Sequence, residues 1–573
     1  MDNLAVAKIF LKIAKILEIK SENPFRIRAY ERAARNIESL SEDISDLIKE
    51  DRLRQIPGIG EDLASKIKEI VNTGKLKFLQ ELEKTVPPGL LELLEIPSIG
   101  PKTATQLYKE LKIKNIKDLE KAIEENKLIG LFGIREKTVE NIKRGIEIYK
   151  RGRERMLLSI AQSTADEFID KLKKLPEVKK ISPAGSLRRQ KDTVRDIDIL
   201  VVSEKPEKVM DVFTRLPQVK TVLVSGQTKS SVLTRDDIQV DLRVVEEKSF
   251  GAALFYFTGS KNFNIKIRQI AIKKGYKLNE YGLFLEKGKK EEFIAGRSEE
   301  EIFKKLNLSY IVPELREDTG EIELALKNKL PELITLKDIK GDLHVHSKWS
   351  DGAHSIDELA KAAIKMGYSY IAITDHSQGL KVAGGLSPQE LRKKRQEIDK
   401  INKGLKNFRV LYGTEVDIDS EGNLDYPDEI LKEFEIIVAA IHTGFKQSKE
   451  QLTMRLIKAA QNRFVHIIAH PSGRLWGVRP SYELNWDELF KVCRDNNTYL
   501  EINSFPHRLD LNDQNCKLAK EAGLKMAITT DAHTLDQLYY MKLGISVARR
   551  GWLSKKDVLN TLGVDELLKV IKK

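Results

Sequence analysis

Residues 185–202 read Gly185-Ser186-Leu187-Arg188-Arg189-Gln190-Lys191-Asp192-Thr193-Val194-Arg195-Asp196-Ile197-Asp198-Ile199-Leu200-Val201-Val202. A Gly-Ser turn and two arginines open this stretch, and its apolar, β-branched end predicts a buried strand. Side chains alternate between the faces of a strand, so Asp196 and Asp198 share one face. Adjacent carboxylates repel each other unless cations lie between them, and carboxylate oxygens suit Mg²⁺ or Mn²⁺. We therefore interpret the stretch as a metal site, with the Gly-Ser backbone and Arg189 suited to hold a polyphosphate.

A lone Asp-x-Asp pair also has a plainer interpretation, two solvated carboxylates at a strand edge, because short motifs often match by chance. The upstream Gly-Ser turn and the apolar strand favour the metal site. A third carboxylate, Asp241, lies in residues 238–245, where Val240, Leu242 and Val244 share the opposite face. Such a residue usually faces solvent. If its strand pairs with the first, however, Asp241 completes a cage of three carboxylates.

The composition indicates a soluble chain of several domains. At 573 residues it is too long for one core and predicts roughly three to five domains. No apolar run approaches the roughly 20 residues that a membrane span needs. Two cysteines, Cys493 and Cys516, exclude a disulfide framework and fit a reducing compartment. We expect a cytoplasmic protein without a membrane partner, and a monomer.

Charge and histidine are unevenly distributed along the chain. The net charge is +13, and residues 101–200 carry 24 Lys and Arg against 16 Asp and Glu, which favours a polyanionic partner near the opening stretch. All nine histidines lie between His344 and His533. Two kinds of chemistry are therefore joined in one chain.

The N-terminal region predicts helices interrupted by tight turns of the Pro-x-x-Gly type. These turns lie in residues 55–61, 95–102 and, more loosely, 130–135. Glycines let the backbone approach a ligand closely, and the following helix directs free N–H groups at a phosphate. One such turn would be an ordinary turn, but three with Lys137 and Lys143 nearby resemble helix-hairpin-helix DNA-binding motifs. The residues that we expect at DNA here are Gly58, Gly60, Gly100 and Lys102.

The motifs Gly185-Ser186, Arg189, Asp196-Ile197-Asp198 and Asp241 together resemble the palm of family X DNA polymerases, the polymerase beta group. Residues 253–264 and 279–283 are similar to the thumb-side segments of that family. The resemblance covers about residues 5–318. It implies DNA polymerisation on gapped or primer-template DNA from deoxynucleoside triphosphates, with Mg²⁺ or Mn²⁺ held by the three aspartates. Two-metal catalysis would then drive an in-line displacement of pyrophosphate.

The resemblance also implies roles for individual residues. It places the incoming nucleotide against Gly185, Ser186, Arg189, Tyr256, Phe257, Gly259, Ser260, Lys261 and Asn264. It places Arg268 at the template strand. Lys261 replaces an acidic residue of polymerase beta, so we expect a cationic contact to the nucleotide. Lys66 matches the Schiff-base lysine of the family's lyase, but Asp62 replaces a neighbouring lysine, which leaves lyase activity open.

Beyond residue 340 the chain repeats a different pattern, in which an apolar strand ends in a polar residue. Strands with helices between them predict a (β/α) barrel, whose site lies at the C-terminal ends of the strands. The polar residues at these ends are His344, His346, Asp351, His376, Glu415, His442, His470, Asp531 and His533. Nine nitrogen and oxygen ligands suit two or three ions of Zn²⁺, Mn²⁺ or Fe type.

This segment resembles the PHP (polymerase and histidinol phosphatase) domain, and all nine residues match the metal ligands of that family. The resemblance implies metal-dependent hydrolysis of phosphodiesters, as a 3′→5′ exonuclease. His354, His466 and His507 fall outside the ligand set, and we expect structural roles for them. Arg474, Arg479 and Arg508 are our candidates for phosphate contacts. A purely structural metal cluster is the alternative.

We therefore predict a multidomain α/β protein that fills short gaps in DNA repair and degrades 3′ ends. Its palm should be a nucleotidyltransferase domain with an antiparallel or mixed sheet, and its last domain a distorted (β/α)₇ PHP barrel. Two rivals stay open: a DNA-binding module that carries a small-molecule phosphomonoesterase, and a repair scaffold with a vestigial polymerase site. The expected domains are a lyase-like helical domain 1–90, fingers 91–150, palm 151–245, thumb 246–318, linker 319–340 and PHP domain 341–573.

Overall fold

The structure is a computed structural model, and it describes residues 3–20, 22–38, 44–56, 58–86, 88–94, 96, 99–131, 133–136, 138–143, 145–146, 155–287 and 290–572. The chain divides into two compact units. The first comprises Met1–Arg153 and Trp476–Pro480, and the second comprises Glu154–Leu475 and Ser481–Lys573. Among the described residues, no helix is both long and apolar enough to cross a membrane.

In its described residues up to 146, the first unit consists of helices joined by turns, whereas its short segment Trp476–Pro480 is not helical. Its helices pack around one apolar core, because each presents apolar residues at a spacing of three or four. In α4, for example, Leu63, Ile67 and Ile70 are buried on one face, and Gly74 ends the helix in a left-handed conformation. The helices are α1 Asn3–Ile19, α2 Pro24–Glu38, α3 Ile44–Lys49, α4 Glu61–Thr73, α5 Lys77–Lys84, α6 Pro88–Leu93, α7 Pro101–Leu111 and α8 Ile116–Glu124, with a 3₁₀ turn at Leu53–Gln55.

The second unit begins with a mixed sheet, which we call the palm sheet. Within residues 155–287 it has five strands in the order β2-β4-β7-β6-β5. Strands β4 and β7 run parallel, while the other neighbours are antiparallel, as the mixed sheet predicted from the sequence requires. The strands are β1 Met156–Leu157, β2 Lys180–Pro183, β3 Thr193–Val194, β4 Asp196–Val202, β5 Val219–Ser225, β6 Lys229–Thr234 and β7 Gln239–Val245, where β1 pairs with β3 outside the sheet.

Helices cover one face of the palm sheet and contribute Phe168 and Phe213 to its core. These are α9 Leu158–Leu172, α10 Gly185–Arg188 and α11 Pro206–Thr214. Helix α9 begins at Leu158, where its apolar stripe starts, and it ends before Pro176, which disfavours helical backbone in the preceding residue.

The thumb segment follows the palm and packs around its own apolar core. A three-stranded antiparallel sheet lies against helices at both ends of the segment. Its elements are α12 Phe250–Thr258, α13 Lys261–Lys273, β8 Tyr276–Asn279, β9 Gly282–Lys287, β10 Lys290–Ala295, α14 Glu299–Lys305 and α15 Glu321–Leu326, with 3₁₀ turns at Glu247–Ser249 and Pro313–Leu315.

A buried ionic triad joins the palm to the thumb. Arg188 binds both carboxylate oxygens of Glu299, at 2.9 and 2.7 Å, and the fully buried Arg316 binds Oε1 at 2.5 Å. Burial by itself raises the pKa of Glu299, but the two guanidinium groups outweigh it and lower this pKa to about 2. The carboxylate is therefore charged in the folded protein at every working pH.

Replacing Glu299 with glutamine should lower the free energy of unfolding by about 3–5 kcal/mol, because two buried guanidinium groups lose their counter-ion. Urea denaturation followed by circular dichroism measures this change. Since the folded pKa lies below the ordinary 4.5, the contribution is complete above about pH 4.5 and declines as the pH falls towards 2. Glu300→Gln, at an exposed position of the same helix, is the control and should change little. Equal stability of the two variants would contradict the prediction.

The remaining chain forms a barrel. In the described residues 319–572, seven parallel strands follow one another in the order β11 to β17, with helices between them. A parallel bridge between Val345 and Ala532 brings the last strand end to the first, so the barrel is nearly closed. The predicted (β/α)₇ barrel is confirmed. Its strands are β11 Gly341–Val345, β12 Tyr370–Ile373, β13 Arg409–Asp417, β14 Ile436–Ala440, β15 Ile467–Ile468, β16 Tyr499–Asn503 and β17 Met526–Thr529.

The barrel helices lie outside the strands, and several begin at a serine that caps the helix with a glutamate or glutamine three residues later. They are α16 Ile356–Lys365, α17 Pro388–Gly404, α18 Asp428–Leu431, α19 Lys449–Gln461, α20 Trp486–Asp495, α21 Asp513–Glu521, α22 Met541–Arg550 and α23 Val564–Val570. Shorter 3₁₀ turns lie at Leu336–Asp338, Lys381–Ala383, Asp536–Tyr540, Lys555–Asp557 and Leu559–Thr561.

Candidate active sites

The first candidate site is the carboxylate cluster of the palm sheet. The parallel register of β4 and β7 sets Asp198 directly opposite Asp241, with Asp196 opposite Gln239. Ile197 and Ile199 point into the core, so the three carboxylates share the other face of the sheet. The Gln239 side chain donates a hydrogen bond of 2.9 Å to Asp241 Oδ1. The pairing on which the three-carboxylate cage depended is therefore present.

The electrostatics of this cluster favour a bound cation. Burial, and then the charges of Asp196 and Asp241, raise the pKa of Asp198 to about 7, although Arg243 and Lys229 oppose the rise. The repulsion that raises this pKa disappears when a divalent cation joins the carboxylates. An all-oxygen donor set fits a hard cation such as Mg²⁺ or Mn²⁺.

A glycine loop lies against the carboxylates. Gly185 adopts a φ of +62°, and a Cβ at this position would overlap the Asp198 carboxylate, so only glycine fits. Arg189 follows at the end of α10, where its Nε lies 3.0 Å from Glu317 Oε1 and its Nη1 donates to the Thr258 carbonyl. The arginine expected at a triphosphate is therefore already held beside the glycine loop. Ser186 is half-buried in the same turn.

The thumb-side residues meet this loop through direct contacts. Gly259 lies close enough to Arg189 that a Cβ would be 3.3 Å from Nη1. The Arg243 guanidinium carbon lies 4.3 Å from the ring centroid of Phe257. The rings of Phe257 and Tyr256 pack edge to face, with their centroids 5.1 Å apart. Ser260 caps α13 by accepting the Phe263 N–H, and the adjacent Lys261 is exposed.

The nitrogen of the Asn264 side-chain amide is hydrogen-bonded, and its oxygen is not. Its Nδ2 donates to the Tyr256 carbonyl at 2.7 Å, whereas its buried Oδ1 has no hydrogen-bond partner among the described residues. The exposed Arg268, one turn later, donates to the Asn264 carbonyl at 3.3 Å. A buried amide oxygen without a partner is rare unless a ligand supplies one. The contact of Asn264 with the nucleotide and that of Arg268 with the template strand remain predictions.

The second candidate site lies at the C-terminal ends of the barrel strands. All nine residues predicted there converge, and the ligand atoms of eight of them form three groups, within each of which the atoms lie no more than 4.8 Å apart. One group comprises His346, Asp351, His376 and His533, a second comprises His344, His346 and Asp531, and a third comprises His376, Glu415 and His442. His470 joins them through Glu415, at 3.1 Å.

Glu415 is the centre of this cluster. Its Oε2 lies 2.9 Å from His376 Nδ1 and 3.4 Å from His344 Nε2, and its Oε1 lies 3.3 Å from His442 Nε2. The carboxylate is buried, which raises its pKa, but the surrounding imidazoles hold this pKa well below the ordinary range. Burial and the neighbouring His533 and His376 lower the pKa of His346 to about 4, so its ring is neutral at pH 7. Despite burial, neighbouring carboxylates raise the pKa of His442 to about 10 and that of His533 to about 9, so a metal, which binds the neutral imidazole, must displace a proton from each.

Residues that the sequence analysis missed orient these ligands. Glu501 is fully buried, and its Oε1 lies 2.6 Å from His344 Nδ1, while Asp417 pairs with His442 Nδ1 at 2.5 Å. Such contacts direct the other ring nitrogen at a metal. A signal existed for Glu501, because it lies in the strand Tyr499–Asn503 and so repeats the pattern of a strand with a polar residue. Asp417 lies two residues after Glu415 on the same strand.

A buried pair holds the loop that carries Asp351. Asp375 accepts hydrogen bonds from the Ser347 N–H and the Ser350 hydroxyl, at 2.7 and 2.9 Å. Its other oxygen lies 2.9 Å from Nζ of Lys394, which is completely buried and also donates to two strand carbonyls. This lysine carried no signal in the sequence, because a charged helix residue is ordinarily exposed.

The three arginines proposed for phosphate contacts differ in their surroundings. Arg508 Nε lies 3.4 Å from Asp531 Oδ2, and its buried Nη1 has no hydrogen-bond partner in the described part of the chain, so it stays a candidate. Arg474 is buried and donates to Asp192 and to the carbonyls of Arg508 and Leu509. Its guanidinium already serves these acceptors, and its phosphate contact stays a prediction. The prediction for Arg479 remains untested.

The hairpin turns of the first unit repeat one geometry. The Ile59 N–H donates to the Ile56 carbonyl, and Ile99 donates to Ile96, each at 3.1 Å. Gly60 and Gly100 then begin α4 and α7, and Gly58 has a φ of +78°. The first turn of α4 carries two acidic residues, whereas that of α7 carries none and presents the exposed Lys102, so the second hairpin suits a phosphate better. Other residues of these motifs lie outside the described residues, namely Pro57, Glu95, Pro97, Ser98, Phe132 and Lys137.

Comparison with known proteins gives matches along most of the chain. Family models match a helix-hairpin-helix domain at residues 1–76, a tandem of such motifs at 90–147, a DNA polymerase beta thumb at 253–317 and a PHP domain at 342–505. The DNA polymerase/3′-5′ exonuclease PolX of Bacillus subtilis is 41% identical over 576 aligned residues, which span both chains completely. A probable phosphatase of Thermoanaerobacter sp. is 32% identical over 231 residues, 38% of this chain and 89% of its own.

Proposed function

Because the chain belongs to the family X DNA polymerases that carry a C-terminal PHP domain, we propose that its two sites perform opposite reactions on the 3′ end of a DNA strand. The palm extends that end, and the PHP site removes nucleotides from it. The register that sets Asp198 opposite Asp241, beside a loop that only glycine fits, is the observation that carries the polymerase half. The short gaps of base excision repair are the substrate that we propose for extension.

In the palm, Asp196, Asp198 and Asp241 would hold two Mg²⁺ or Mn²⁺ ions. Such ions lower the pKa of the attacking 3′-hydroxyl and neutralise the charge that develops on the phosphates. Gly185, Ser186, Arg189 and Lys261 would bind the triphosphate, with Arg189 leaving Glu317 to do so. The remaining contacts that we propose are the sugar at Tyr256 and Phe257, the nucleotide at Gly259 and Ser260, the base edge at Asn264 and the template strand at Arg268.

In the barrel, the nine clustered ligands would hold two or three ions of Zn²⁺, Mn²⁺ or Fe type, since a mixed nitrogen and oxygen donor set suits these metals. Such ions supply a hydroxide at neutral pH and neutralise the scissile phosphate. Arg508 is the side chain that we propose for binding that phosphate, because its Nη1 is buried without a hydrogen-bond partner in the described chain. Cleavage from the 3′ end would release nucleoside monophosphates one at a time.

The hairpins of the first unit would position the DNA through its backbone, without reading its sequence. Gly58, Gly60, Gly100 and Lys102 are the residues that we propose for these phosphate contacts. We further propose that the enzyme acts as a monomer in the cytoplasm. The domain limits given above, with boundaries after residues 90, 150, 245, 318 and 340, are part of the same proposal.

A single gapped substrate tests both halves. The protein should fill a one-nucleotide gap when Mg²⁺ or Mn²⁺ and the matching deoxynucleotide are present, and should degrade the primer when nucleotides are withheld. Chelation should stop both reactions, and metal analysis of the purified protein should find two or three ions bound. If the protein degrades the primer but does not extend it, the palm is a vestigial site on a repair scaffold.

A second candidate applies to the barrel alone, because a relative that covers 38% of this chain is named a probable phosphatase. Under this alternative the cluster would hydrolyse phosphomonoesters of small molecules. The same preparation should then release phosphate from a nucleoside monophosphate faster than it shortens a DNA primer. The reverse order of rates supports the exonuclease.

Lyase activity at Lys66 should be weak and should increase when Asp62 is replaced by asparagine. A Schiff base needs a neutral amine, whereas Lys66 Nζ forms an ion pair with Asp62 and lies 5.2 Å from the Phe78 ring centroid, contacts that stabilise the ammonium. Borohydride trapping on an abasic DNA measures the adduct, and we expect about a threefold gain for the variant, the effect of one exposed ion pair. Lys66→Ala should give no adduct, while Lys68→Ala, which removes a neighbouring exposed lysine, is the control. An adduct that persists in Lys66→Ala would exclude this residue.

A further inference from the structure

The segment Arg189 to Asp192 lies between the glycine loop and the catalytic strand, and three side chains of the barrel hold it. Arg550 Nη1 donates to the Arg189 carbonyl at 2.8 Å. The Ser546 hydroxyl donates to Gln190 Oε1 at 3.0 Å, and Arg474 Nη1 donates to Asp192 Oδ2 at 2.8 Å. Two of these side chains come from one helix, α22. The barrel therefore contacts the part of the palm that would bind the triphosphate.

Arg550 also contacts Glu317, the carboxylate that forms an ion pair with Arg189. Glu317 Oε1 lies 3.0 Å from Arg189 Nε, 3.1 Å from Arg550 Nη1 and 3.6 Å from Lys191 Nζ. Nε and Nη2 of Arg550 donate hydrogen bonds to Asp513 Oδ2, at 2.8 and 2.5 Å. Only 4% of the Arg550 side chain is exposed. Arg550 thus has a single geometry, in which one nitrogen faces both the backbone of Arg189 and its competing carboxylate.

This arrangement has two consequences for a triphosphate. The phosphates must draw the Arg189 guanidinium away from Glu317, and a second buried cation on Glu317 weakens its hold on Arg189. The hydrogen bond to the Arg189 carbonyl meanwhile keeps the backbone of Arg189 in place while its side chain moves. Both effects lower the work of transferring Arg189 from the carboxylate to a nucleotide.

We propose that Arg550, although it belongs to the barrel, is a positioning residue for nucleotide binding in the palm. The inference rests on the proposed role of the palm in binding deoxynucleoside triphosphates. It assigns Arg550 no contact with the nucleotide and no part in the exonuclease. The barrel would therefore support polymerisation through this residue, independently of its own metal cluster.

The test is a steady-state analysis of single-nucleotide gap filling by Arg550→Met. We expect the KM for the deoxynucleotide to rise about tenfold, the effect of losing one charge-assisted hydrogen bond, while kcat changes less than about threefold. Arg549→Met is the matched control. Arg549 lies next to Arg550 on α22 and binds Glu314 and the Ile334 carbonyl, but it does not contact Arg189 or Glu317. Its KM should stay at the wild-type value.

Two further variants separate positioning from a loss of structure. Arg550→Lys keeps the charge and should give an intermediate KM. The double variant Arg550→Met/Glu317→Gln also lacks the carboxylate that competes for Arg189. Its KM should approach that of Glu317→Gln alone, because the effects of two substitutions are not additive when both act through one carboxylate. Primer degradation by all these variants should match the wild-type protein.

The outcomes distinguish the inference from its premise. A wild-type protein that fills no gap contradicts the proposed palm function itself. Normal gap filling with equal KM values for Arg550→Met and Arg549→Met overturns the inference, as does a loss confined to kcat. If Arg550→Met does not fold, Arg550→Lys decides, since it keeps the charge but removes part of the same contact and should raise the KM about twofold to threefold. An unchanged KM in Arg550→Lys then overturns the inference.

Discussion

Replacing Asp198 with asparagine should reduce gap filling by at least about 10³-fold, which corresponds to about 4 kcal/mol of transition-state stabilisation. Asp198 lies opposite Asp241 in the strand register and against Gly185. Its carboxylate is therefore next to another expected metal ligand and to the glycine loop that we expect to bind the triphosphate. Asparagine has the same shape but no charge, and it would bind a divalent cation poorly. The measurement is single-turnover extension of a gapped primer with Mg²⁺.

The same variant should be more stable than the wild-type protein when metal is chelated. Burial and two neighbouring carboxylates raise the pKa of Asp198 to about 7, so the folded state resists its ionisation. A raised carboxylate pKa lowers stability progressively as the pH rises from the ordinary 3.8 to about 7, and the variant lacks this penalty. Its melting temperature at pH 8 should therefore exceed that of the wild-type protein in chelator, while its activity is lower.

Asp211→Asn is the control for both measurements. Asp211 is an exposed residue of helix α11 and pairs with Arg215 at the surface, away from the sheet face that carries the cluster. We expect wild-type extension and wild-type metal dependence from it. Primer extension that survives Asp198→Asn would show that the palm carboxylates do not form the polymerase site.

Replacing Glu415 with glutamine should reduce degradation of a DNA 3′ end by at least about 10³-fold and should lower the metal content of the protein. Glu415 is buried and contacts five imidazoles within 3.5 Å, more than any other ligand of the cluster. Its pKa lies well below the ordinary range despite burial, because the imidazoles attract its negative charge. Glu415 belongs to one ligand group and contacts histidines of the other two, so glutamine removes a negative charge that lies beside all three groups.

Exonuclease rate and metal content should be measured on the same preparation, by degradation of a labelled primer and by elemental analysis. Glu433→Gln, at an exposed position on the barrel surface, should leave both unchanged. Gap filling by Glu415→Gln should continue, because the palm carboxylates belong to another sheet. Degradation that resists both Glu415→Gln and chelation would place the nuclease elsewhere.

The two substitutions together should leave a folded protein without either activity. Asp198→Asn stops synthesis and Glu415→Gln stops degradation, so each single variant reports the other reaction in isolation. The wild-type protein with limiting deoxynucleotide should show idling, in which a nucleotide is added and removed at one primer end. Neither single variant should idle.

Local sequence determined much of this protein. The alternation in Asp196-Ile197-Asp198 placed two carboxylates on one face of a strand, and the same period placed Asp241 on the polar face of another. The barrel ligands were identifiable because each lies at or near the end of an apolar strand. These features depend on the backbone geometry of a few consecutive residues, so a short stretch of sequence is enough to specify them.

The tertiary structure alone decided which of these residues meet. The parallel pairing of β4 with β7 joined Asp198 to Asp241, and the folding of the chain set Glu501 against His344 and buried Lys394 beside Asp375. No local pattern predicts such partners, because strand order and the burial of a charge depend on packing between distant segments.

The segment of residues 185–202 shows both sides of this division. Its own residues specified a turn, two arginines and a strand with two carboxylates, and these lie as the sequence indicated. That Arg189 is bound to Glu317, and that Arg550 of the barrel holds both, was decided only in three dimensions. Ion pairs of this kind arise where folding removes water from charged side chains, and that depends on every element packed around them.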